Sequence, residues 1–357
     1  MKNADNGMLS GRQIFCLLAL FLSGGVGTMG GGGSVRDIWL LMLLAGAAAV
    51  PLYLLYMYLA GAGQAPLGCF EAAFGRVAGG VMRRLLGLIA LAAAAIELRI
   101  FTDFTAATAL PRSPRFLIAA LMAAALFLAL RAGAEVLARA AAPAFWVVFG
   151  MLALSFAAAL PQLDWGAVLP LGEAGPARLG RSFLSNAMIP FFEGFFALMV
   201  LAPLYNKKGG ARRPVLGAVL FAGLFLGLTL MKNIMLLGYP AGSQYYFPSY
   251  TAGSVTVISE FFQRQELLIA APFLLCELVK AALCLLFAGQ ALGAQKHRWT
   301  GPALCAAALL LSLLGRGGVA ETVEPLRLYG RSLFVPLLLL PLLTAAALRL
   351  RKKRRRR

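Results

Sequence analysis

The chain has 357 residues, 61% of them hydrophobic and only 13% charged, with a mean hydropathy of +0.81. Soluble domains carry roughly a quarter charged residues, so little of this chain is left for a soluble domain and it reads as one polytopic membrane unit. The net charge of +19 raises the question of a nucleic-acid partner, but the basic residues lie between and beyond apolar runs, and none is expected.

Apolar runs near the length of about 20 residues that crosses a bilayer recur from end to end. Ten are read, at 13–33, 38–60, 85–108, 115–130, 140–160, 183–204, 214–238, 267–290, 300–316 and 332–349. They divide the chain into a leading segment 1–12, a first five-helix unit 13–160, an outer loop 161–182, a second five-helix unit 183–349 and a polybasic tail 350–357. The larger share of the Lys and Arg falls on one side of this arrangement, including Arg76, Arg83, Arg84, Arg131, Lys207, Lys208 and residues 351–357. Arg36, Arg112, Arg115, Arg178 and Arg181 fall on the other. The positive-inside bias then puts both termini in the cytoplasm, with the tail against anionic headgroups. Span one lacks a small-residue cleavage site and more spans follow, so it reads as a retained helix and not a removed signal. Cys16, Cys69, Cys276, Cys284 and Cys305 are scattered, without the spacing of a metal or disulfide framework.

In chain order, the first irregular feature is Ser23-Gly24-Gly25-Val26-Gly27 with Gly30 to Gly33 after it. Glycine costs about 1 kcal/mol per residue against alanine in a helix, so span one is predicted to be unwound there; close helix packing through small residues is the alternative. Span three carries Glu97, Arg99 and Asp103. Arg99 and Asp103, four apart, are predicted to pair as scaffold, which leaves Glu97 as the site candidate. Span six holds Pro190, Glu193 and Gly194 within Pro190-Phe-Phe-Glu193-Gly194-Phe-Phe. Proline removes a donor and glycine admits non-helical angles, so a second break is predicted there. A carboxylate at that depth is expensive unless paired or hydrated. Lys232, near the outer end of span seven, is expected to snorkel to the headgroups. Span eight places Glu277 and Lys280 three apart on one face, either as a neutralised pair or with Lys280 as a fixed cation in place of a coupling ion or a counter-ion for a carboxylate on span three. Interrupted first helices and charged third helices in two five-span halves are the pattern of an inverted-repeat transporter.

Several stretches, in order, resemble the spore germination B-subunit (spore permease) family of the amino acid–polyamine–organocation transporter superfamily. They are Gly11-Arg12-Gln13-Ile14-Phe15, Arg36-Asp37-Ile38-Trp39, Leu98-Arg99-Ile100-Phe101-Thr102-Asp103-Phe104, Pro190-Phe191-Phe192-Glu193, Asn206-Lys207-Lys208 and Phe247-Pro248-Ser249-Tyr250, continuing to Lys280. The likeness spans about residues 10 to 295. It departs from the family at Ile100, where an acidic residue is usual, at Arg112-Ser113-Pro114, and in the glycine-rich stretch after Gly25.

The resemblance implies an all-α, leucine-transporter-like fold of ten transmembrane helices in a five-plus-five inverted repeat, with helices 1 and 6 discontinuous. It implies a subunit of a nutrient-germinant receptor in the spore inner membrane, beside A-type and C-type subunits, taking an amino acid or similar small nutrient. In such a fold the amides of Gly24, Gly25 and Gly27 would receive a ligand carboxylate. Carbonyls around Ile189 and Phe192, with Glu193, would receive its ammonium, and Glu97, Glu277 and Lys280 would couple ions or protons. An autonomous proton-coupled amino acid permease is the rival reading. Catalysis, a metal and a cofactor are not expected: His297 is the lone histidine, and neither HExxH nor GxSxG occurs.

Overall fold

The computed structural model describes residues 8–25, 35–62, 67–205, 211–256, 266–293, 299–314, 326 and 328–354. Gly27, the glycines up to Gly33, residues 206–208 and 258–264, His297 and residues 355–357 of the tail lie outside the described residues. The described residues form helices and turns with no strand among them, as expected where backbone donors and acceptors in hydrocarbon must be satisfied within each segment.

The apolar helices are α1 (Gly11–Ser23), α2 (Ile38–Gly61), α3 (Arg76–Thr108), α4 (Arg115–Gln162), α5 (Pro176–Leu204), α6 (Arg212–Leu237), α7 (Leu267–Ala291), α8 (Thr300–Ser312) and α9 (Leu328–Lys352). Seven of these are long and apolar enough to cross a bilayer; α1 and α8 are shorter. The protein is therefore a multi-pass integral membrane protein. Short helices Gly68–Phe74, Tyr239–Gly242 and Pro248–Val255 join the long ones.

Local chemistry sets the helix ends. Ser10 and Gln13 form a reciprocal cap on α1: Gln13 N–H donates to Ser10 Oγ at 3.3 Å and Ser10 N–H to Gln13 Oε1 at 2.9 Å. At its other end Gly24 N–H donates to Phe21 O at 3.2 Å, and Gly25 turns away at φ 83°. A continuous helix with the 48 residues of α4 would run about 70 Å, more than twice a hydrocarbon core. It is broken at Gly133, whose φ of 80° and ψ of 170° are open to glycine and to few other residues.

The break expected at Pro190–Gly194 lies a turn earlier. A π-helical turn at Phe183–Ala187 is followed by Met188, and Ile189–Leu201 is regular helix through Glu193 and Gly194. Pro190 stands in the first turn of that stretch, where a missing N–H removes no helical bond. The carbonyls of Ile189 and Phe192 accordingly sit in a regular helix, and α5 begins at Pro176, inside the stretch read as outer loop. The rest of that loop is tied to the start of α2. Arg36 Nη1 donates to Leu169 O at 2.6 Å and lies 3.3 Å from Glu173, and Gly172 N–H donates to Asp37 Oδ2 at 3.1 Å.

Packing makes α5 the centre. Of its most apolar window 83% is buried, against 28% for α4 and α9. Phe191, Phe192, Phe195 and Phe196 are all buried. Phe195 meets Tyr56 at 4.9 Å between ring centroids, and Phe196 meets Phe287 at 4.8 Å. Around α5 stand α1, α2 and α7; α7 also packs on α3 and α4, and α2 on α6. The α2–α6 seam closes at Gly46 and Gly223, where a Cβ on Gly46 would come within 2.8 Å of Gly223 Cα. Such small-residue seams let helices approach closely without a hydrophobic driving force between them. Gly223→Val should separate these helices and destabilise the protein by about 1–3 kcal/mol, read as a lower melting temperature in detergent. Leu224→Val, at a position 54% exposed toward lipid, should leave it nearly unchanged.

Candidate functional site

Four ionisable side chains from three helices meet beside the broken end of α1. Glu97 comes from α3, Glu193 from α5, and Glu277 and Lys280 from one face of α7. None is more than 3% exposed, and Glu277 is at 0%. Lys280 Nζ lies 2.6 Å from Glu97 Oε1 and 2.8 Å from Glu193 Oε2, the second contact being an ion pair off the hydrogen-bonding direction. Tyr329, at the start of α9, donates its hydroxyl to Glu193 Oε1 at 2.8 Å.

Glu277 closes onto α1: Gly25 N–H donates to Glu277 Oε1 at 2.6 Å. Of the three amides expected to receive a ligand carboxylate, that of Gly24 caps α1, that of Gly25 is taken by Glu277, and that of Gly27 lies outside the described residues. Gly24 and Gly25 stand at the C-terminal end of α1, where the helix dipole favours cations. The carboxylate there is held by one N–H and by nearby Lys280 rather than by the dipole. Gly24 is required for a steric reason, since a Cβ on it would lie 2.7 Å from Lys280 Cδ.

Gly194 serves space as well. A Cβ there would lie 1.5 Å from the Tyr53 hydroxyl, so Tyr53 from α2 enters the volume that glycine leaves beside Glu193. Tyr53 OH, Ser23 Oγ and the second oxygens of Glu97 and Glu277 are buried without a hydrogen-bond partner among the described residues. The site therefore has spare donors and acceptors. Tyr56, next along the same face of α2, donates its hydroxyl to Leu337 O of α9.

The charges expected to be scaffold form a separate cluster. Asp103 Oδ1 is 2.7 Å from Arg115 Nη2 at the start of α4, while Arg99 Nε is 4.0 Å from Asp103 Oδ2. Arg99 Nη1 donates to Leu314 O at 2.5 Å. The predicted Arg99–Asp103 contact is thus the longer arm of a clamp joining α3, α4 and the end of α8. Lys232 is a correction: it is 4% exposed and lies within the bundle instead of reaching the headgroups. It sits beside Asn233, whose amide donates to Ser249 Oγ at 2.9 Å. Tyr53 and Tyr329 were not singled out in the sequence. Tyr329 falls before the tenth apolar run as read, because Gly330 and Arg331 interrupt the hydropathy just where α9 has already begun.

A family model described as "Spore germination protein" matches residues 8–313. The chain belongs to that family. Spore germination protein KB of Bacillus subtilis is 25% identical over 291 residues, 79% of this chain and 77% of that protein. The putative spore germination protein YfkT of the same organism is 25% identical over 214 residues, 58% of this chain and 56% of YfkT, so the matched stretch spans little more than half of that relative. Among solved structures, a manganese transporter of Eremococcus coleocola in complex with an aromatic bis-isothiourea compound aligns with 95% of this chain and 75% of its own. The TM-score is 0.50 at 14% identity, a likeness of fold alone. Membership in this family sets the chain among permease-type membrane proteins and not among enzymes.

Removing one partner of a buried ion pair costs about 3–5 kcal/mol because the remaining charge is stranded. Lys280→Met should therefore lower the melting temperature sharply in detergent. Adding Glu193→Gln to Lys280→Met should restore part of the loss, a double-mutant cycle that measures the Lys280–Glu193 coupling directly.

Proposed function

We propose that this chain is the integral membrane subunit of a nutrient-germinant receptor, binding an amino acid or similar small nutrient at mid-membrane. The observation that carries the reading is the buried cluster of Glu97, Glu193, Glu277 and Lys280 set against the interrupted end of α1. Charges at that depth are rare and mark binding or conduction sites. Gly25 N–H is the donor for the ligand carboxylate. Glu193, oriented by Tyr329, receives the ammonium.

The architecture proposed for it is ten transmembrane helices in a five-plus-five inverted repeat. In this arrangement α4 contributes two spans divided at Gly133, and the short helices α1 and α8 complete the count. Glu97 on the third span and Glu277 with Lys280 on the eighth then occupy corresponding places in the two halves. Both termini face the cytoplasm of the spore inner membrane, with the tail against anionic lipid and A-type and C-type receptor subunits alongside. Ligand binding shifts a two-state equilibrium between α1 with α5 and α3 with α7, and the shift passes to the partner subunits.

The buried carboxylates around Lys280 favour one alternative, an autonomous permease in which a proton moves with the amino acid. Reconstitution of the purified chain in vesicles separates the two readings, because only the permease accumulates a labelled amino acid in response to an imposed proton gradient.

Glu193→Gln keeps the shape and removes the charge. Spores carrying it should lose nutrient-triggered germination, by at least about tenfold in sensitivity for one lost charge-assisted contact, while membrane levels of the protein stay near wild type. An undiminished nutrient response at normal protein levels would overturn the site.

A further inference from the structure

We propose that Glu277 and Lys280 act as a tethered counterpart of the ligand, their carboxylate and ammonium filling the two charge subsites that an amino acid takes over when it binds. This rests on the reading above, in which Gly25 and Glu193 receive a zwitterion. The anion subsite is the Gly25 N–H, now donating to Glu277 Oε1 at 2.6 Å. The cation subsite is the Glu193 carboxylate, now 2.8 Å from Lys280 Nζ. Both occupants come from one face of α7, three residues apart, so a single helix presents a negative and a positive group to α1 and α5 together.

Three features separate a displaceable plug from a permanent cap. The first is incomplete satisfaction: Glu277 Oε2, Ser23 Oγ and Tyr53 OH are buried around the subsites without a hydrogen-bond partner among the described residues. Such orphans are costly and uncommon in a finished core, and they are the groups a bound molecule would use. The second is electrical. Exchanging Glu277 and Lys280 for a ligand carboxylate and ammonium leaves the charge of the α1 and α5 subsites unchanged, and the released side chains can pair with each other along α7. The third is steric. Lys280 Cδ occupies the space beside Gly24 that a Cβ would claim, at 2.7 Å, so its stem lies against the interrupted end of α1 and leaves when the lysine does.

The tether also acts as a specificity filter. An amine without a carboxylate has nothing to offer Gly25 and leaves Glu277 in place, whereas a carboxylic acid without an ammonium leaves Lys280 on Glu193. Only a molecule bearing both charges close together releases both ends of the plug. Glu277 and Lys280 thereby select zwitterionic α-amino acids over simple amines and simple acids, without either side chain having to touch the bound ligand.

The test is calorimetric titration of the purified full-length chain in detergent with each of the twenty standard amino acids, and with the decarboxylated amine of the tightest binder. Wild type, Glu277→Asp and Glu277→Gln are compared, each checked for a wild-type-like melting profile. Asp draws the carboxylate back by one methylene, and Gln leaves only a neutral acceptor for Gly25. The expected result is tighter amino acid binding in the order Gln, Asp, wild type. The span is about tenfold, as for exchanging a charged hydrogen-bond acceptor for a neutral one, with no change for the amine. Amino acid binding that is equal or weaker in both folded variants overturns the tether while leaving the amino acid site standing. Should no amino acid bind the wild type or either variant, the amino acid reading fails and the tether fails with it.

Discussion

The ion cluster centred on Lys280 constrains everything around it. An ammonium buried in a low-dielectric bundle must be met by carboxylates, and here they arrive from α3 and α5, at 2.6 and 2.8 Å. Because α7 carries the lysine, three helices far apart in sequence are held at one depth and one rotation. Slide any of them by a turn and a charge would be stranded in a medium that punishes it by several kcal/mol. Tyr329 extends the same constraint to α9 and Gly25 extends it to α1. The hydrophobic surfaces of these helices would pack acceptably in many registers, since lipid competes with protein for them on nearly equal terms. The polar centre selects one.

Glycines and tyrosines finish what the charges begin. Gly24 lets α7 approach α1 until the lysine stem touches backbone, and Gly194 admits the Tyr53 hydroxyl beside Glu193. Neither position depends on unusual torsion angles for this. Each is a place where two helices come closer than a methyl group allows. The seam between Gly46 and Gly223 works the same way at a distance from the site, clamping α2 to α6 so that Tyr53 is presented from a fixed support.

What could be read in advance follows from which features are local. Hydropathy is local, so the membrane class and the positions of the apolar helices were legible, as was the kind of residue that buried charge would single out. Glu97, Glu193, Glu277 and Lys280 stood out in the sequence because an ionised group in an apolar run has no ordinary use, and they do come together. Their pairing was legible only in part: Lys280 as counter-ion to a carboxylate on span three was one alternative, and it meets Glu97 there. Within α7 the i, i+3 spacing suggests Glu277 with Lys280, whereas the lysine reaches across to Glu97 and Glu193 and Glu277 turns to Gly25. The location of the irregular turn in α5 was misjudged because proline in a first turn and proline in a helix interior look alike in sequence. Lys232 was misjudged because snorkelling depends on which way the helix faces, and hydropathy carries no rotation. Tyr53 and Tyr329 were invisible for a related reason: a lone tyrosine in an apolar stretch matters only through what lies opposite it.

The order of the cluster along the chain has a consequence for biogenesis. Glu97 and Glu193 leave the ribosome before Lys280 has been translated, so for a time two acids must enter or border the bilayer with no cation to answer them. Until α7 follows, they need water or another polar surface around them. The most deeply enclosed helix, α5, is thus also one that cannot settle until nearly a hundred further residues have emerged (roughly the separation of positions 193 and 280). The contacts that neutralise the first two acids are thus supplied by the C-terminal half of the chain.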